Sequence, residues 1–321
     1  MSSEPDITIV LATLNNAPDL RRTLESFSGT DRSGLKVEFA IVDNNSTDET
    51  KSVIEQFRER LSIHYLHEPR RGKNAALNRA LGAVKLGRLV FFTDDDVEVP
   101  NDLFPQIVNS STRNQDCSVF GGHVHMVWPP GKAAAWATAF ADSFRAYSHL
   151  DLGPDECVFP PHSVPIGPNW WLRREVLEKG YRYDERIGPG SRPYIMGSET
   201  TFLARLKRDG YRIIYAPGVR VGHRVAPRLL VEKVMIRRGL AAGRAGAVLA
   251  YEYDFGPKRY IRNNSGWMLV RGACLARWAL CYALAFLSPG KTRQMLRRWD
   301  AMQGIGWNLE ALRIASGRTR G

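Results

Sequence analysis

An apolar run that ends in three adjacent carboxylates constrains the fold of this chain more than any other feature. Residues 89–93 read Leu-Val-Phe-Phe-Thr, and residues 94–96 are all aspartate. A strand that is apolar on both faces is typical of a parallel sheet covered by helices on both sides. In such sheets ligands bind beyond the carboxyl ends of the strands, where this triplet lies. The run therefore predicts an α/β fold with a functional site at this edge of the sheet.

Strand and helix patterns alternate over the first 100 residues, as a parallel sheet requires. Apolar runs predict four strands, at residues 7–12, 37–42, 62–66 and 88–92. Between them, amphipathic segments predict three helices, at residues 18–27, 49–61 and 72–86. Farther along, the pattern predicts strands at 118–127 and 211–216, helices at 133–148 and 199–209, and a proline-rich loop at 153–168.

The positive charge of the chain is concentrated in its last third. Residues 1–223 carry 27 Lys+Arg and 28 Asp+Glu, whereas residues 224–321 carry 18 Lys+Arg and 5 Asp+Glu. Such asymmetry indicates an anionic lipid, a nucleic acid or a polyanionic substrate as partner. No nucleic-acid recognition module accompanies the charge, so we do not expect a nucleic-acid partner.

A strongly apolar segment, residues 266–287, lies within this basic region and contains Arg271 and Arg277. Each arginine costs about 2.5 to 3.5 kcal/mol near the centre of a bilayer, which weakens the case for a membrane-spanning helix. A helix that lies in the membrane interface is one interpretation. The alternative is a hydrophobic helix that packs on the rest of the protein or forms a dimer interface.

Three like charges at one strand end repel one another unless a cation neutralises them. Oxygen ligands suit Mg²⁺ or Mn²⁺, so the triplet Asp94–Asp96 is a candidate for a divalent-cation site. For an isolated acidic triplet, a solvated turn is the better interpretation. Three other groups of polar residues favour the cation site here.

These groups lie at predicted strand or helix ends. Asp43 ends the second strand, where its carboxylate can bind a ribose or a base, or can form a turn and helix cap. Arg70–Asn78 place a glycine beside cations at a helix start, which suits a phosphate, although alone it is typical of a solvated basic turn. Glu199 lies at a helix start, where the helix dipole keeps a carboxylate ionised. One interpretation is a general base, and the other is a simple helix cap.

In this order and spacing, the groups resemble the motifs of family 2 glycosyltransferases, which have the GT-A fold. The resemblance covers roughly residues 5–225 and is carried by residues 7–16, 42–48, 71–78, 93–96, 167–174 and 197–200. It implies that residues 1–225 form a Rossmann-like, mostly parallel α/β sheet with helices on both faces. Residues 226–321 would then form a helical C-terminal extension.

The segment Thr93–Asp96 is similar to the family's DxD motif, which holds a metal ion and the nucleotide ribose. The resemblance implies that Mg²⁺ or Mn²⁺ is bound by Asp94, Asp96 and His223. It implies a nucleotide site made of Thr13, Asn15, Asp43, Arg71, Lys73, Asp94 and Asp95. It also implies substrate contacts from Asn169, Trp170 and Trp171. Core packing of the tryptophans and a structural role for His223 are the alternatives.

The family's ED motif, which supplies the catalytic base, is similar to Glu199-Thr200 in this chain. Where the base is the second residue of that pair, this chain has only a hydroxyl. Glu199 is then the only carboxylate of the motif, and we favour it as the base. The alternatives are Asp184 or Glu185 as the base, or impaired activity.

The resemblance implies a metal-dependent, inverting transfer of a sugar from a nucleotide diphosphate sugar to a hydroxyl acceptor, with UDP as the favoured nucleotide. We expect a saccharide or lipid-linked acceptor in surface-glycan synthesis, reached through a peripheral membrane contact of residues 226–321. A nucleotidyltransferase is one alternative, although no glycine-rich triphosphate loop follows the first strand. An inactive glycan-binding or membrane-scaffold protein is another.

The polar start of the chain does not resemble a signal peptide, so we expect a cytoplasmic protein that contacts the inner face of the membrane.

Overall fold

The structure is a computed structural model that describes residues 4–131, 133–142, 147–191, 194–255 and 265–317. Within these residues the chain forms nine strands and ten α-helices. The strands are β1 (Ile7–Thr13), β2 (Val37–Asp43), β3 (Ile63–His67), β4 (Leu89–Thr93), β5 (Val97–Glu98), β6 (Val119–Val127), β7 (Cys157–Val158), β8 (Trp170–Arg173) and β9 (Ile213–Arg224). The helices are α1 (Ala17–Ser28), α2 (Thr50–Leu61), α3 (Lys73–Ala83), α4 (Leu103–Arg113), α5 (Ala135–Asp142), α6 (Arg174–Glu178), α7 (Ser198–Arg208), α8 (Glu232–Glu252), α9 (Ser265–Leu284) and α10 (Lys291–Ala315).

The described strands form one sheet in the order β3-β2-β1-β4-β8-β6-β9-β5, and β7 pairs with β9. β1 pairs in parallel with β2 and β4, β2 pairs in parallel with β3, and β6 pairs in parallel with β9. β8 is antiparallel to both of its neighbours, β4 and β6. Two reversals restore the original direction, so β6 and β9 run parallel to β4. These strands therefore end at the same edge of the sheet as β1 and β2.

Helix α1 illustrates how the helices are held against the sheet. Its apolar face carries Leu20, Leu24 and Phe27, all fully buried. The ring of Phe27 packs against Phe39 of β2 at 5.3 Å and against Phe104 of α4 at 6.3 Å between centroids. Each such side chain contributes about 1.5 to 3 kcal/mol through burial. This packing places α1 beneath the strands that carry the polar residues.

The predicted fold class is confirmed: the sheet is mostly parallel, helices cover both faces, and a helical C-terminal region follows. Some boundaries differ. The loop predicted at 153–168 contains the short strand β7. Of the helix predicted at 133–148, the described part is α5, Ala135–Asp142, and residues 143–146 lie outside the described residues.

Strand β9 extends well beyond its predicted end at residue 216. Pro217 and Gly218 interrupt the apolar pattern there, and both residue types disfavour a regular strand interior. The structure accommodates them in an irregularity, because the register between β6 and β9 shifts at Gly122/His123. Pairing then resumes with His123 opposite Arg220 and continues to Arg224. The bulge thus carries the strand onward to His223.

The chain divides into two compact units. The first comprises residues 1–127, 148–185 and 198–224, and the second comprises residues 128–147, 186–197 and 225–321. Relative to the predicted boundary after residue 225, the second unit also includes two earlier segments of the chain.

Within the second unit, α8 and α10 approach closely because glycines face the partner helix: a Cβ on Gly243 would lie 2.0 Å from the carbonyl oxygen of Gln303.

Candidate active site

Polar residues follow several strands at one edge of the sheet. Thr13 ends β1 and pairs with Asp43, which ends β2. Thr93 ends β4, so the acidic turn of residues 94–96 begins at this edge. His223 lies near the end of β9 and pairs with Val97, directly after the acidic turn. The topology therefore brings together polar residues from four separate segments.

Asp94, Asp96 and His223 form a group of potential metal ligands. One ligand atom from each of the three lies within 4.8 Å of the others. His223 Nε2 lies 3.3 Å from Asp96 Oδ1. Across the described ranges, the buried atom His223 Nδ1 has no hydrogen-bond partner, and Asp96 Oδ1 has no hydrogen bond beyond its contact with His223 Nε2. Two carboxylates and an imidazole with unsatisfied polar atoms fit a divalent cation such as Mg²⁺ or Mn²⁺.

Asp96 and His223 each stabilise the charged form of the other. Burial acts to raise the pKa of Asp96, but the nearby positive charges, that of His223 above all, hold the pKa below its ordinary value. Burial acts to lower the pKa of His223, but the charge of Asp96 raises it. Asp96 is therefore ionised at neutral pH, as a metal ligand must be.

Asp95, the middle carboxylate, is oriented by β1. Thr13 Oγ1 donates a hydrogen bond to Asp95 Oδ2 at 2.6 Å. Burial and the charge of Asp96 raise the pKa of Asp95 to about 7, against the opposing effect of the Thr13 hydroxyl. Two of the residues predicted to bind the nucleotide, Thr13 and Asp95, are thus in direct contact.

Lys73, the first residue of α3, lies beside the acidic turn. Its ammonium group donates a hydrogen bond to Asp94 Oδ1. Burial acts to lower the pKa of Lys73, but the combined charges of Asp94, Glu199 and Asp96, with the hydrogen bond to Asp94, raise it, so the side chain stays protonated. The preceding turn is held by Asn44, whose Oδ1 accepts a hydrogen bond from the Gly72 N–H at 2.8 Å. Arg71, the other cation predicted to contact the nucleotide, is exposed.

Glu199 lies in the first turn of α7, across Gly167 from Asp94. A Cβ on Gly167 would lie 3.2 Å from Asp94 Oδ2 and 3.7 Å from Glu199 Cδ, so glycine permits this close approach. Burial raises the pKa of Glu199, and the charge of Lys73 opposes the rise. Lys73, Asp94, Glu199 and Tyr183 line one small cavity. A carboxylate with a raised pKa in such a cavity has the properties of a general base.

Of the two alternative bases, Glu185 has its carboxylate engaged elsewhere, and Asp184 is held through its main chain. Glu185 is largely exposed, and its Oε2 accepts a hydrogen bond from Arg70 at 2.9 Å. Its Oε1 accepts a hydrogen bond from Asn78 of α3 at 3.1 Å. The main-chain oxygen of Asp184 accepts a hydrogen bond from Asn74, also of α3, at 2.7 Å. These contacts hold residues 184–185 against α3, whereas Glu199 faces the acidic turn.

The loops after β1 and β2 contact each other. Asp43 is 4% exposed, its Oδ1 accepts a hydrogen bond from the Ser46 N–H at 2.8 Å, and its Oδ2 accepts one from the Tyr65 hydroxyl at 3.2 Å. Asn15 adopts a φ of 50°, a left-handed conformation that asparagine tolerates. Asn15 Oδ1 accepts a hydrogen bond from the Thr47 N–H at 2.7 Å. The two loops thus form one hydrogen-bonded rim around Asp43.

The tryptophans predicted to contact a substrate are core residues. Trp170 and Trp171 of β8 are 1% and 0% exposed. Trp170 stacks on Phe92 with ring centroids 4.2 Å apart, and Trp171 stacks on Phe120 at 5.2 Å. β8 pairs with β4 on one edge and with β6 on the other, and its first three residues are buried, so both faces of the strand are covered. For Trp171 the alternative of core packing holds. Trp170 also lines the small cavity that contains Asp94 and Glu199, so its contact with a sugar stays a prediction.

Asn169 is also fully buried, which contradicts its predicted contact with the substrate. Its Nδ2 donates hydrogen bonds to the carbonyl oxygens of His123 and Val219, each at 2.9 Å. These two residues lie on β6 and β9. Asn169 therefore joins the strands that flank it at the start of β8, and its role is structural.

Three residues of the site were not singled out in the sequence. Asn44 fixes the turn before Lys73, Tyr65 hydrogen-bonds to Asp43, and Gly167 permits the approach of Glu199 to the acidic turn. Asn44 and Gly167 lie inside the recognised motifs, but their roles depend on contacts across the fold. Tyr65 lies on β3 with no local signal of its function.

Two curated relatives share sequence with this chain. Glycosyltransferase AglE of Haloferax volcanii is 22% identical over 243 residues, which are 74% of this chain and 74% of the relative. Beta-monoglucosyldiacylglycerol synthase of Synechocystis sp. is 31% identical over 110 residues, which are 32% of this chain and 22% of that enzyme.

Solved structures share the fold. The mannosyltransferase PcManGT of Pyrobaculum calidifontis, in complex with GDP-Man and Mn²⁺, superposes with a TM-score of 0.58 at 20% identity, over 99% of this chain and 89% of that one. S. aureus TarS, residues 1–349, in complex with UDP, gives a TM-score of 0.52 at 15% identity, over 98% of this chain and 93% of that one.

The family comparison agrees with the site described above. The sequence model of the family described as "Glycosyl transferase family 2" matches residues 8–181, more than half of the chain. The matched region contains all but the first residue of β1, the Asp43 loop, Lys73 and the acidic turn. The glycosyltransferase interpretation is therefore supported over the nucleotidyltransferase alternative. The chain belongs to glycosyl transferase family 2.

Proposed function

We propose that the protein is a metal-dependent, inverting glycosyltransferase that moves a sugar from a UDP-sugar to a hydroxyl group of a saccharide or lipid-linked acceptor. The observation that carries the proposal is that a group of potential metal ligands and a candidate base lie together at one edge of the sheet. Asp94, Asp96 and His223 form a metal-ligand group there, and Glu199 lies across Gly167 from Asp94. A glycosyl transfer to a hydroxyl needs both a leaving-group stabiliser and a base.

Asp94, Asp96 and His223 would hold the divalent cation. When bound, such a cation acts as a Lewis acid that neutralises the charge of a departing diphosphate. Lys73 adds a fixed positive charge beside Asp94. Asp95 and Asp43 would hold the ribose and base, with Thr13 and Asn15 on the same rim.

Glu199 would take the proton of the acceptor hydroxyl as that oxygen attacks the anomeric carbon. The diphosphate leaves from the opposite face, so one displacement inverts the anomeric configuration. The raised pKa of Glu199 suits this role, because a more basic carboxylate accepts the proton with a greater driving force. The absence of a carboxylate at Thr200 leaves this role to Glu199 within the motif.

The proposed donor can be tested by the thermal stability of the protein with UDP-glucose, UDP-N-acetylglucosamine and GDP-mannose, each with Mn²⁺ or with EDTA. At 100 times the dissociation constant a ligand stabilises by about 2.7 kcal/mol, which corresponds to roughly 4 °C for a chain of 321 residues. We expect at least one UDP-sugar with Mn²⁺ to give such a shift, and EDTA to abolish it. Both nucleotides are included because PcManGT was solved with GDP-Man and TarS with UDP. A shift with GDP-mannose alone would contradict UDP as the nucleotide.

The proposed acceptor is membrane-associated because of helix α9 and its C-terminal turn. Within the described residues this segment, Gly266–Leu287, is long and apolar enough to cross a membrane, and only 6% of its apolar window is buried. Leu269 and Leu287 are 75% and 80% exposed. Arg271 lies 5.2 Å from the Trp267 ring, and Arg277 lies 5.2 Å from the Trp278 ring. Arginine and tryptophan beside exposed leucines are typical of a helix in the membrane interface.

We further propose that the protein is cytoplasmic and contacts the inner face of the membrane through this segment. The excess of positive charge in residues 224–321 supports binding to anionic lipid. The name of the Synechocystis relative, a diacylglycerol glucoside synthase, is consistent with a lipid acceptor. Surface-glycan or glycolipid synthesis is the process that these features favour.

Vesicle flotation at low salt tests the membrane contact. We expect the protein to float with vesicles that contain phosphatidylglycerol, and the double substitution Leu269→Glu with Leu287→Glu to reduce the floated fraction at least fivefold. Val158→Glu is the matched control, because Val158 is 51% exposed on β7 of the first unit. Flotation that is absent, or equally reduced by the control, would contradict the proposal. A dimer in the wild type that the double substitution dissociates would favour a second copy of the chain as the occupant.

A further inference from the structure

Arg224, the residue after His223, is an arginine whose side chain is 6% exposed. Its Nη1 donates a hydrogen bond to the carbonyl oxygen of Val97 at 2.8 Å. Its Nη2 donates to the carbonyl oxygen of Asp19 at 2.7 Å and to Thr23 Oγ1 at 2.6 Å. A buried guanidinium with this many partners fixes the relative positions of the groups that it contacts.

Thr23 of α1 extends the same network. It is fully buried, and its hydroxyl lies 2.9 Å from the carbonyl oxygen of Asp95 and 3.0 Å from that of Val97. The hydroxyl also accepts a hydrogen bond from the Val97 N–H at 3.0 Å. Thr23 therefore joins the acidic turn directly to the guanidinium of Arg224.

The network holds three consecutive carbonyl groups. The carbonyl of Asp95 contacts Thr23, the carbonyl of Asp96 accepts a hydrogen bond from the Arg224 N–H at 2.9 Å, and the carbonyl of Val97 accepts one from the Arg224 guanidinium. The main chain of Asp96 is thus held on both sides. Arg224, which makes these contacts, follows directly after His223. It therefore fixes both the segment that carries Asp96 and the segment that carries His223.

We propose that Arg224 and Thr23 are positioning residues that set the separation of Asp96 and His223 and thereby the affinity for the divalent cation. Neither side chain belongs to the group of potential metal ligands. Their action is on the ligands: the network fixes the main chain from which Asp96 and His223 project. Partners that orient metal ligands typically change metal affinity by 10- to 100-fold when they are removed.

The test measures Mn²⁺ binding to the protein alone by electron paramagnetic resonance, with no donor or acceptor present. Arg224→Lys removes the planar group that bridges Asp19, Thr23 and Val97. Thr23→Val removes only the hydroxyl and keeps the shape of the side chain. We expect each substitution to raise the dissociation constant for Mn²⁺ by about 10-fold or more. Thr23→Ser keeps the hydroxyl and should retain affinity within about threefold.

Arg173→Lys is the matched control. The Arg173 guanidinium also binds main-chain carbonyls, those of Cys117 at 2.9 Å and Ser111 at 2.7 Å. It lies at the end of β8, which is antiparallel to β4, and pairs with Leu89 at the start of that strand, away from the acidic turn. Melting temperatures of all variants report the structural cost. We expect Arg173→Lys to lower stability as Arg224→Lys does, but to leave Mn²⁺ affinity unchanged.

Unchanged Mn²⁺ affinity in Thr23→Val and in folded Arg224→Lys would overturn the inference. An equal loss of affinity in Arg173→Lys would also overturn it, because general destabilisation would then explain the effect. If Arg224→Lys fails to fold, Thr23→Val against Thr23→Ser decides the question. The inference rests on the proposed metal site, and wild-type protein that binds no Mn²⁺ would contradict that site itself rather than the positioning role.

Discussion

The role of Glu199 leads to the most specific prediction. Glu199→Gln preserves the size and polarity of the side chain but removes its capacity to accept a proton at neutral pH. The carboxylate faces Asp94 across Gly167, where a Cβ would lie only 3.2 Å from Asp94 Oδ2. The substitution therefore removes a base without opening space beside the metal-ligand group. We expect kcat to fall while the affinity for the nucleotide sugar persists.

The magnitude follows from the chemistry of the lost group. A positioned general base contributes about 10²- to 10⁴-fold to the rate, which is roughly 2.7 to 5.4 kcal/mol of barrier. Glutamine also removes one of the negative charges that face Lys73, whose ammonium then keeps its hydrogen bond to Asp94. The Lys73–Asp94 ion pair therefore remains in the variant. Because this pair is kept, we expect the substitution to lower kcat, by at least 10²-fold.

The assay is release of the nucleotide diphosphate with saturating donor and acceptor, recorded between pH 5 and pH 9. Burial raises the pKa of Glu199, so the ionised form, which is the active base, is lost at a higher pH than for an exposed glutamate. In the wild type, kcat should therefore fall as the pH drops through this pKa. The residual activity of Glu199→Gln should lack that acidic limb.

Glu185→Gln and Asp184→Asn serve as controls. Glu185 is hydrogen-bonded to Arg70 and Asn78, so its replacement should affect local stability more than turnover. Wild-type turnover in Glu199→Gln would refute the reasoning. A 10²-fold loss in either control, with Glu199→Gln less affected, would move the base to residues 184–185.

Two further predictions concern the metal site and the sheet. Asp96→Asn should abolish Mn²⁺ binding, measured by calorimetry, with unchanged far-UV circular dichroism; retained binding would contradict the role of this carboxylate. Trp171→Ala should lower the free energy of unfolding in urea by about 3 to 5 kcal/mol, because the ring is fully buried against Phe120 and its N–H donates to Ser111 at 2.9 Å. A selective rise in the KM for a sugar, without that loss of stability, would show that the ring contacts substrate after all.

The parts of the fold that were predictable from the sequence are those with local patterns. The first four strands alternate with helices, and β4 is apolar up to Thr93 and buried along its whole length, so the parallel arrangement and the location of the acidic turn followed from the sequence pattern. Strand β8 was not predicted. Its residues, Trp170–Arg173, are read as a strand only when β4 and β6 are known to flank them.

The site divides in a similar way. Residues in motifs, such as Asp94 and Lys73, were identified because charge at a strand or helix end is visible in the sequence. Burial is not visible in this way, so Trp171 was assigned to substrate although it lies inside the sheet. The roles of Thr23 and Arg224 depend on contacts between residues about 200 positions apart, which no local pattern encodes.

The position of β9 inside the sheet has a practical consequence for protein production. The family match ends at residue 181, but β9 lies between β6 and β5 and begins only at Ile213. A recombinant fragment cut at the end of the match would leave the long strand β6 with an open hydrogen-bonding side, a template for intermolecular pairing. We expect such a fragment to accumulate in inclusion bodies, and a fragment extended past Arg224 to be the shortest one worth expressing.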